Sequence, residues 1–417
     1  MHLNRGISVV AAGTGINLAL GVLYSWSIFK ESITQSVQQG GAGGFHWDLA
    51  SINDPYALAC LVFAFCMIPA GRMQDHLGPR LTAFSGGVLV SLGFLLISQS
   101  YNYWVWLLGF GGLVGAGIAF GYAAATPAAL KWFSPTRSGL IAGIVVSGFG
   151  LAPAYIAPLG NWLVQTQGLL DTMQFFGIAF LLVVSLLSLL LVKPPEHHQP
   201  AAQIDARHHG ASVAQPGFTP RELLRKWRFW ALWVLYFIGA GAGLMVIGSI
   251  SGMAKMSMGE LAFLAVAILA LGNASGRIIL GQLADRYGRS LTLAWVFLFQ
   301  ALLMFAAAFA SPDSGALLVV LMATLIGFNY GANLAIFPSI TKVLWGMRHF
   351  GVNYGMLFTA WGLGGFVMVK LSEWLKASSG NFTSSFLVAG CLLLLGVGIA
   401  LYLHTHKQKL KAQLLGS

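Results

Sequence analysis

"GQLADRYGR", residues 281–289, and "GRMQDHLGPR", residues 71–80, carry Gly, Asp and Gly at the same spacing. Each lies between two long apolar runs, and each continues into a Leu-Thr pair, Leu81-Thr82 and Leu291-Thr292. The two stretches stand about half a chain apart. Only 8 % of the residues are charged, so polar turns of this kind are rare here. One device used twice predicts an internal repeat.

Composition sets the solvent. Hydrophobic residues make up 57 % of the chain and the mean hydropathy is +0.75. A soluble domain carries roughly 25 % charged residues. A chain this apolar cannot clothe a globule in polar side chains, so lipid is its partner and solvent. The 52 glycines suit closely packed membrane helices. Arg5 leads into an apolar run with no small-residue cleavage motif, which predicts a retained first helix. Cys60, Cys66 and Cys391 all lie in apolar runs and read as small buried residues; neither a metal nor a cofactor is expected.

A spanning helix needs about 20 mostly apolar residues. Twelve windows qualify: 7–29, 51–70, 81–99, 104–128, 139–160 and 174–193, then 229–254, 260–283, 290–310, 315–339, 351–371 and 384–404. The expected fold is an all-α membrane protein with twelve transmembrane helices in two six-helix pseudo-repeats. Residues 1–193 form the first bundle, 194–228 a cytoplasmic linker, and 229–417 the second bundle with a short tail. The linker is basic and rich in Pro and His, with room for a short amphipathic helix at its end; its histidines read as a solvated loop.

Lys and Arg collect on the cytoplasmic side of a membrane. With the N-terminus placed inside, 18 of the 23 fall on that side. Lys30, Lys255, Lys370 and Lys376 fall outside or at the outer margin, and Arg277 fits neither. Both termini are therefore expected in the cytoplasm, in a cell (inner or plasma) membrane. The net charge of +11 is this orientation signal, with no nucleic acid implied.

Both copies of the opening stretch then fall in the cytoplasmic turn after the second helix of a half. Gly71 and Gly281 let helices approach; Gly78 and Gly288 permit a tight turn. Asp75 and Asp285 can accept from a neighbouring helix N-terminus or pair with a basic side chain, for which Arg80, Arg286 and Arg289 are at hand. Such a network would latch one side shut and break in the other state.

Arg277 is the charge in the wrong place. It precedes Asp285 by eight residues, so it lies roughly 12 Å deeper, more than its side chain can span to reach the headgroups. All twelve acids sit in loops or near helix ends, leaving it no permanent counter-ion in the membrane. A lone buried cation facing water predicts an anion site. Asn273, one turn earlier on the same face, can orient the guanidinium. Asn329 and Asn333 form a second polar pair, read either as cavity lining or as interhelical glue. Aromatic residues on several spans offer an apolar surround.

The signature G-x-L-x-D-R-x-G-R resembles that of the major facilitator superfamily; residues 281–289 match it well. The first copy has Met73, His76 and Pro79 where Leu, Arg and Arg are usual, with Arg80 as a substitute for the last. The words "GVLYSWSIFKESI" (21–33), "KWFSPTRSGLIAGIVVSGFGLAP" (131–153), "GNASGRIILGQLADRYGR" (272–289), "ANLAIFPSI" (332–340) and "NYGMLFTAWG" (353–362) resemble its monocarboxylate transporter and oxalate/formate antiporter branch. The resemblance implies Arg277 as carboxylate clamp, and Tyr24, Phe149, Tyr330, Phe358 and Trp361 as an aromatic cage. Phe120 and Tyr122 are rival candidates on the fourth span. Two departures stand out. Trp361 replaces the second cation of the oxalate type. Asn273 replaces the acid of the proton-coupled animal type, whose first-span Lys is apolar here, near Leu23.

The expected function is secondary active transport of a small organic anion, a lactate- or pyruvate-like monocarboxylate, by alternating access and with H⁺, by a monomer. Anion exchange of the oxalate/formate type and a non-transporting carboxylate sensor are the alternatives. No motif of a membrane-embedded enzyme occurs, and a bare Arg is a poor host for the cations that drug exporters favour.

Overall fold

The computed structural model describes residues 2–40, 44–195, 217–258, 262–309, 316–379 and 381–415. Twelve long helices account for nearly all of them. They are α1 (Arg5–Gln39), α2 (Asp54–His76), α3 (Pro79–Ile97), α4 (Tyr103–Leu130), α5 (Ser138–Gln167) and α6 (Leu169–Ser188). Then follow α7 (Trp227–Met258), α8 (Ala262–Tyr287), α9 (Arg289–Phe309), α10 (Ala316–Trp345), α11 (Phe350–Ser379) and α12 (Thr383–Leu415). Among the described residues 11 helices are long and apolar enough to cross a membrane. The twelfth, α8, runs for 26 residues and carries Arg277, Asp285 and Arg286. No strand occurs among the described residues.

The duplicated stretch closes two equivalent turns. Gly78 takes φ +90° between α2 and α3, and Gly288 takes φ +98° between α8 and α9. A side chain would be strained at either. The Leu-Thr pairs explain themselves here. Thr82 Oγ1 donates to the Gly78 carbonyl at 2.8 Å and Thr292 Oγ1 to the Gly288 carbonyl at 3.0 Å, so each hydroxyl ties the new helix to its turn.

Several helix ends differ from the apolar windows. α1 continues to Gln39, α6 spans 169–188 rather than 174–193, and α12 reaches Leu415. Apolarity marks where a chain crosses lipid; helical hydrogen bonding continues beyond it wherever no Gly or Pro stops it. α1 is also broken by a 3₁₀ turn over Gly21–Ser25, and Leu107–Val114 of α4 is π-helical. The linker's His197, His198, His208 and His209 lie outside the described residues. Its end does form a short helix, Pro220–Leu224, closed by a reciprocal cap between Thr219 and Glu222.

Two seams join the first six helices to the last six. In one, α2 meets α11: a Cβ on Gly71 would stand 2.1 Å from the Gly351 carbonyl oxygen. In the other, α5 meets α8: a Cβ on Gly281 would stand 2.4 Å from the Gly139 carbonyl oxygen. Only hydrogen fits at such contacts, and dispersion across them is the main attraction available to helices in lipid. α3 packs on α6, and α9 on α12, away from these seams.

Candidate functional site

Arg277 is 0 % exposed in the seam between α8 and α5. It points neither to lipid nor to a carboxylate. Its Nε donates to Asn273 Oδ1 at 3.0 Å, and its Nη1 donates to the main-chain carbonyl of Val146 on α5. Nη2 is buried without a hydrogen-bond partner among the described residues. Leaving a charged donor buried and unpaired costs more than the roughly 1–3 kcal/mol of a neutral one. The guanidinium is thus fixed on two sides and unsatisfied on the third, a geometry suited to a carboxylate oxygen.

The Tyr24 hydroxyl neighbours the guanidinium, and those of Tyr122, Tyr236 and Tyr330 lie near enough to feel its charge. Tyr24 and Tyr330 bring their hydroxyl oxygens within 2.7 Å, and Trp361 Nε1 donates to Tyr330 at 2.8 Å. The buried Tyr122 hydroxyl neighbours that of Tyr354, and Tyr236 and Tyr354 meet at 3.5 Å.

The rings close a cage. Phe149 lies edge-on to Tyr24, with centroids 4.9 Å apart, and Phe358 stacks on Trp361, also at 4.9 Å. Phe63 of α2 sits at the centre, touching Tyr122, Phe149, Phe358 and Trp361 at 4.9–6.0 Å. Edge-to-face and offset contacts of this kind favour a fixed arrangement over a fluid one. The structure therefore brings together Arg277, Asn273, Tyr24, Tyr122, Phe149, Tyr330, Phe358 and Trp361.

Phe120 does not join them. It is half-buried and makes no ring contact among the described residues, because a two-residue step on a helix turns it away from the face that carries Tyr122. Phe63, Tyr236 and Tyr354 were not expected. Phe63 had one available signal: it is eight residues before Gly71 and four before Met67, on the face that α2 turns to α11. The Val146 carbonyl had none. Asn333 Nδ2 donates to the carbonyls of Asn329 and Tyr330 on its own helix, and its Oδ1 faces Gly239 of α7. That pair is buried between helices.

Both aspartates of the duplicated turn reach across the seams. Asp75 accepts from Gly351 N at 3.0 Å and Val352 N at 3.1 Å, at the N-terminus of α11. Asp285 accepts from Gly139 N and Leu140 N, both at 2.9 Å, at the N-terminus of α5. Carboxylates there satisfy orphan donors and face the positive end of the helix dipole.

The two contacts are unequal. Arg289 pairs with Asp285 at 2.8 Å and donates to the Pro135 carbonyl and to the hydroxyls of Ser138 and Ser339. Lys342, buried on α10, donates to the carbonyls of Leu130 and Phe133, both at 2.7 Å, at the C-terminal end of α4. A cation thus meets the negative end of α4 while an anion meets the positive end of α5. On the other seam Lys131 occupies the matching place. Burial lowers its ammonium pKa and nearby Asp75 raises it, but among the described residues no carbonyl accepts a hydrogen bond from it.

Arg80 does not substitute for the missing arginine. It is exposed and forms no seam contact among the described residues, since it stands second in α3 whereas Arg289 stands first in α9, and one residue rotates a side chain by about 100°. Arg286 likewise points outward, over the ring of Tyr287.

A twelve-helix, all-α membrane protein with a cation buried beside an aromatic cage at the junction of its halves has the anatomy of a solute carrier. Residues 6–369 match the model of the Major Facilitator Superfamily, and the chain belongs to that family. Its relatives include members of the monocarboxylate and oxalate/formate branch. It is 24 % identical over 365 residues to the oxalate:formate antiporter of Oxalobacter formigenes, covering 86 % of this chain and 81 % of that one. It is 27 % identical over 392 residues to monocarboxylate transporter 13 of Bos taurus, covering 93 % and 86 %. The crystal structure of the superfamily transporter FucP in the outward conformation shares the fold, with a TM-score of 0.66 at 17 % identity over 95 % of this chain and 99 % of that one.

Proposed function

We propose that this protein carries a small monocarboxylate of lactate or pyruvate size together with a proton, by alternating access between its two six-helix halves. The observation that carries this reading is Nη2 of Arg277, buried inside an aromatic cage with no hydrogen-bond partner among the described residues. A bidentate carboxylate completes that guanidinium, and the rings of Phe63, Phe149, Phe358 and Trp361 accept a short apolar tail. One cation matches one carboxylate: Trp361 stands where the oxalate type has a second positive charge. The names of the two relatives, one an oxalate:formate antiporter and one a monocarboxylate transporter, support the same class of cargo.

Asp75 and Asp285 close the face on which they lie, and the Lys and Arg bias makes that face cytoplasmic, with both termini there. The protein works as a monomer in the cell (inner or plasma) membrane. Opening requires each aspartate to give up the helix N-terminus of the other half.

Neutral Asn273, in place of an acid beside Arg277, favours anion exchange as a second reading. Reconstituted protein separates the two. Proton symport predicts labelled pyruvate or lactate uptake into empty vesicles under an inward proton gradient; exchange predicts uptake only into vesicles preloaded with an anion. A sensor predicts neither. Arg277→Gln is expected to abolish uptake while the protein remains folded by circular dichroism. Retained uptake would remove the reading.

A further inference from the structure

The acceptor for Arg277 Nη1 belongs to the opposite six helices, and it is main chain. α5 offers three successive carbonyls to side chains of other helices. Thr14 Oγ1 reaches Ile144 O at 3.3 Å and Asn17 Nδ2 reaches Val145 O at 2.9 Å, both from α1; Arg277 takes Val146 O from α8. Next to the guanidinium lies Gly150. A Cβ there would stand 3.2 Å from both Cζ and Nε of Arg277 and 3.4 Å from Nη2. A methyl group at that place must move the guanidinium off α5 by a few tenths of an ångström.

A carrier that accumulates solute has to return empty. During that return a buried guanidinium without an acceptor is costly, and Asn273 supplies only a neutral oxygen to one of its nitrogens. The Val146 carbonyl supplies the second. It does so across the seam, so the same bond ties α5 to α8 near the site, where the Tyr24–Tyr330 contact is another tie between the halves.

We propose, on the carboxylate-carrier reading above, that the Val146 carbonyl is an internal stand-in for the substrate carboxylate, and that Gly150 is the positioning residue that lets Arg277 reach it. Substrate displaces the carbonyl from Nη1. Release hands the guanidinium back to Val146, and the empty protein can then reorient.

Net uptake uses the empty form, whereas exchange between preloaded vesicles cycles only loaded forms. The test is Gly150→Ala in the full-length protein, reconstituted and assayed with labelled pyruvate in both modes. The expected result is a fall of about ten-fold in net uptake and of less than about two-fold in exchange, with a half-saturation concentration for exchange lower by about three-fold, since a hydrogen bond to a charged group no longer competes with substrate. Equal loss in both modes, or a higher half-saturation concentration, overturns the proposal and leaves Gly150 as a wall of the cavity. If Gly150→Ala fails to reach the membrane, replacing Ser147 by its α-hydroxy acid turns the Val146 carbonyl into a weaker ester acceptor without added volume, with the same expectations. Wild-type protein that moves no monocarboxylate in either mode removes the carrier reading, and the stand-in with it.

Discussion

Tyr24 and Tyr330 hold their hydroxyl oxygens 2.7 Å apart although 306 positions separate them in sequence. Tyr330 also accepts from Trp361 Nε1, so its oxygen serves two partners and that of Tyr24 one. Tyr330→Phe therefore strands a buried indole N–H as well as the Tyr24 hydroxyl. The half-saturation concentration for substrate should rise about thirty-fold in Tyr330→Phe and about five-fold in Tyr24→Phe, at roughly 1 kcal/mol for each buried bond lost. The double variant should resemble Tyr330→Phe alone, because the shared bond is already gone. Additive losses would show that the two hydroxyls act independently.

The seam contacts predict an order of stability. Lys342→Ala strands two carbonyls at the end of α4 and removes a buried cation from the negative end of a helix dipole. Lys131→Ala removes no hydrogen bond to a carbonyl of the described residues. Thermal unfolding in detergent should show a loss of about 2–4 kcal/mol for Lys342→Ala and under about 1 kcal/mol for Lys131→Ala. A similar effect of both would mean that charge alone, rather than the bonds of Lys342, holds this face together.

Asp285 and Asp75 should likewise differ. Asn at either position keeps one acceptor for the helix N-terminus, but at 285 it also ends the ion pair with Arg289. Asp285→Asn should expose the α5–α8 seam to a thiol reagent, read at Ser138→Cys, more than Asp75→Asn exposes the α2–α11 seam, read at Val352→Cys. The free-energy difference expected for a half-buried pair is on the order of 1 kcal/mol. Equal labelling at the two reporters would show that Arg289 adds nothing to closure.

Asn273→Asp would set a carboxylate on the nitrogen that Asn273 Oδ1 now holds. Ionised, it pairs with Arg277 and competes with substrate; protonated, it does not. Uptake at neutral pH should fall about ten-fold in affinity and recover as the medium is acidified, giving a steeper pH dependence than wild type. A pH profile that matches wild type would place the substrate carboxylate away from Arg277.

What the chain alone determined rests on local properties. Spans follow from runs of apolar residues, the duplicated turn from glycines at positions that tolerate only glycine, and the importance of Arg277 from its depth in a segment with no acid near it. These are read one helix at a time. The partners of those residues were decided by packing. Asp75 could have met any helix end, and Arg80 could have stood in for the arginine of the second copy; the rotation of α3 points it outward instead. Phe63 could be placed on the Gly71 face of α2 from its spacing, but only the packing of α2 on α11 set it against Phe358 and Trp361. Lys342 read as an orientation charge until α10 carried it to the end of α4. The Val146 carbonyl was invisible because every residue has one, and only the crossing of α5 with α8 selects which of them meets the guanidinium.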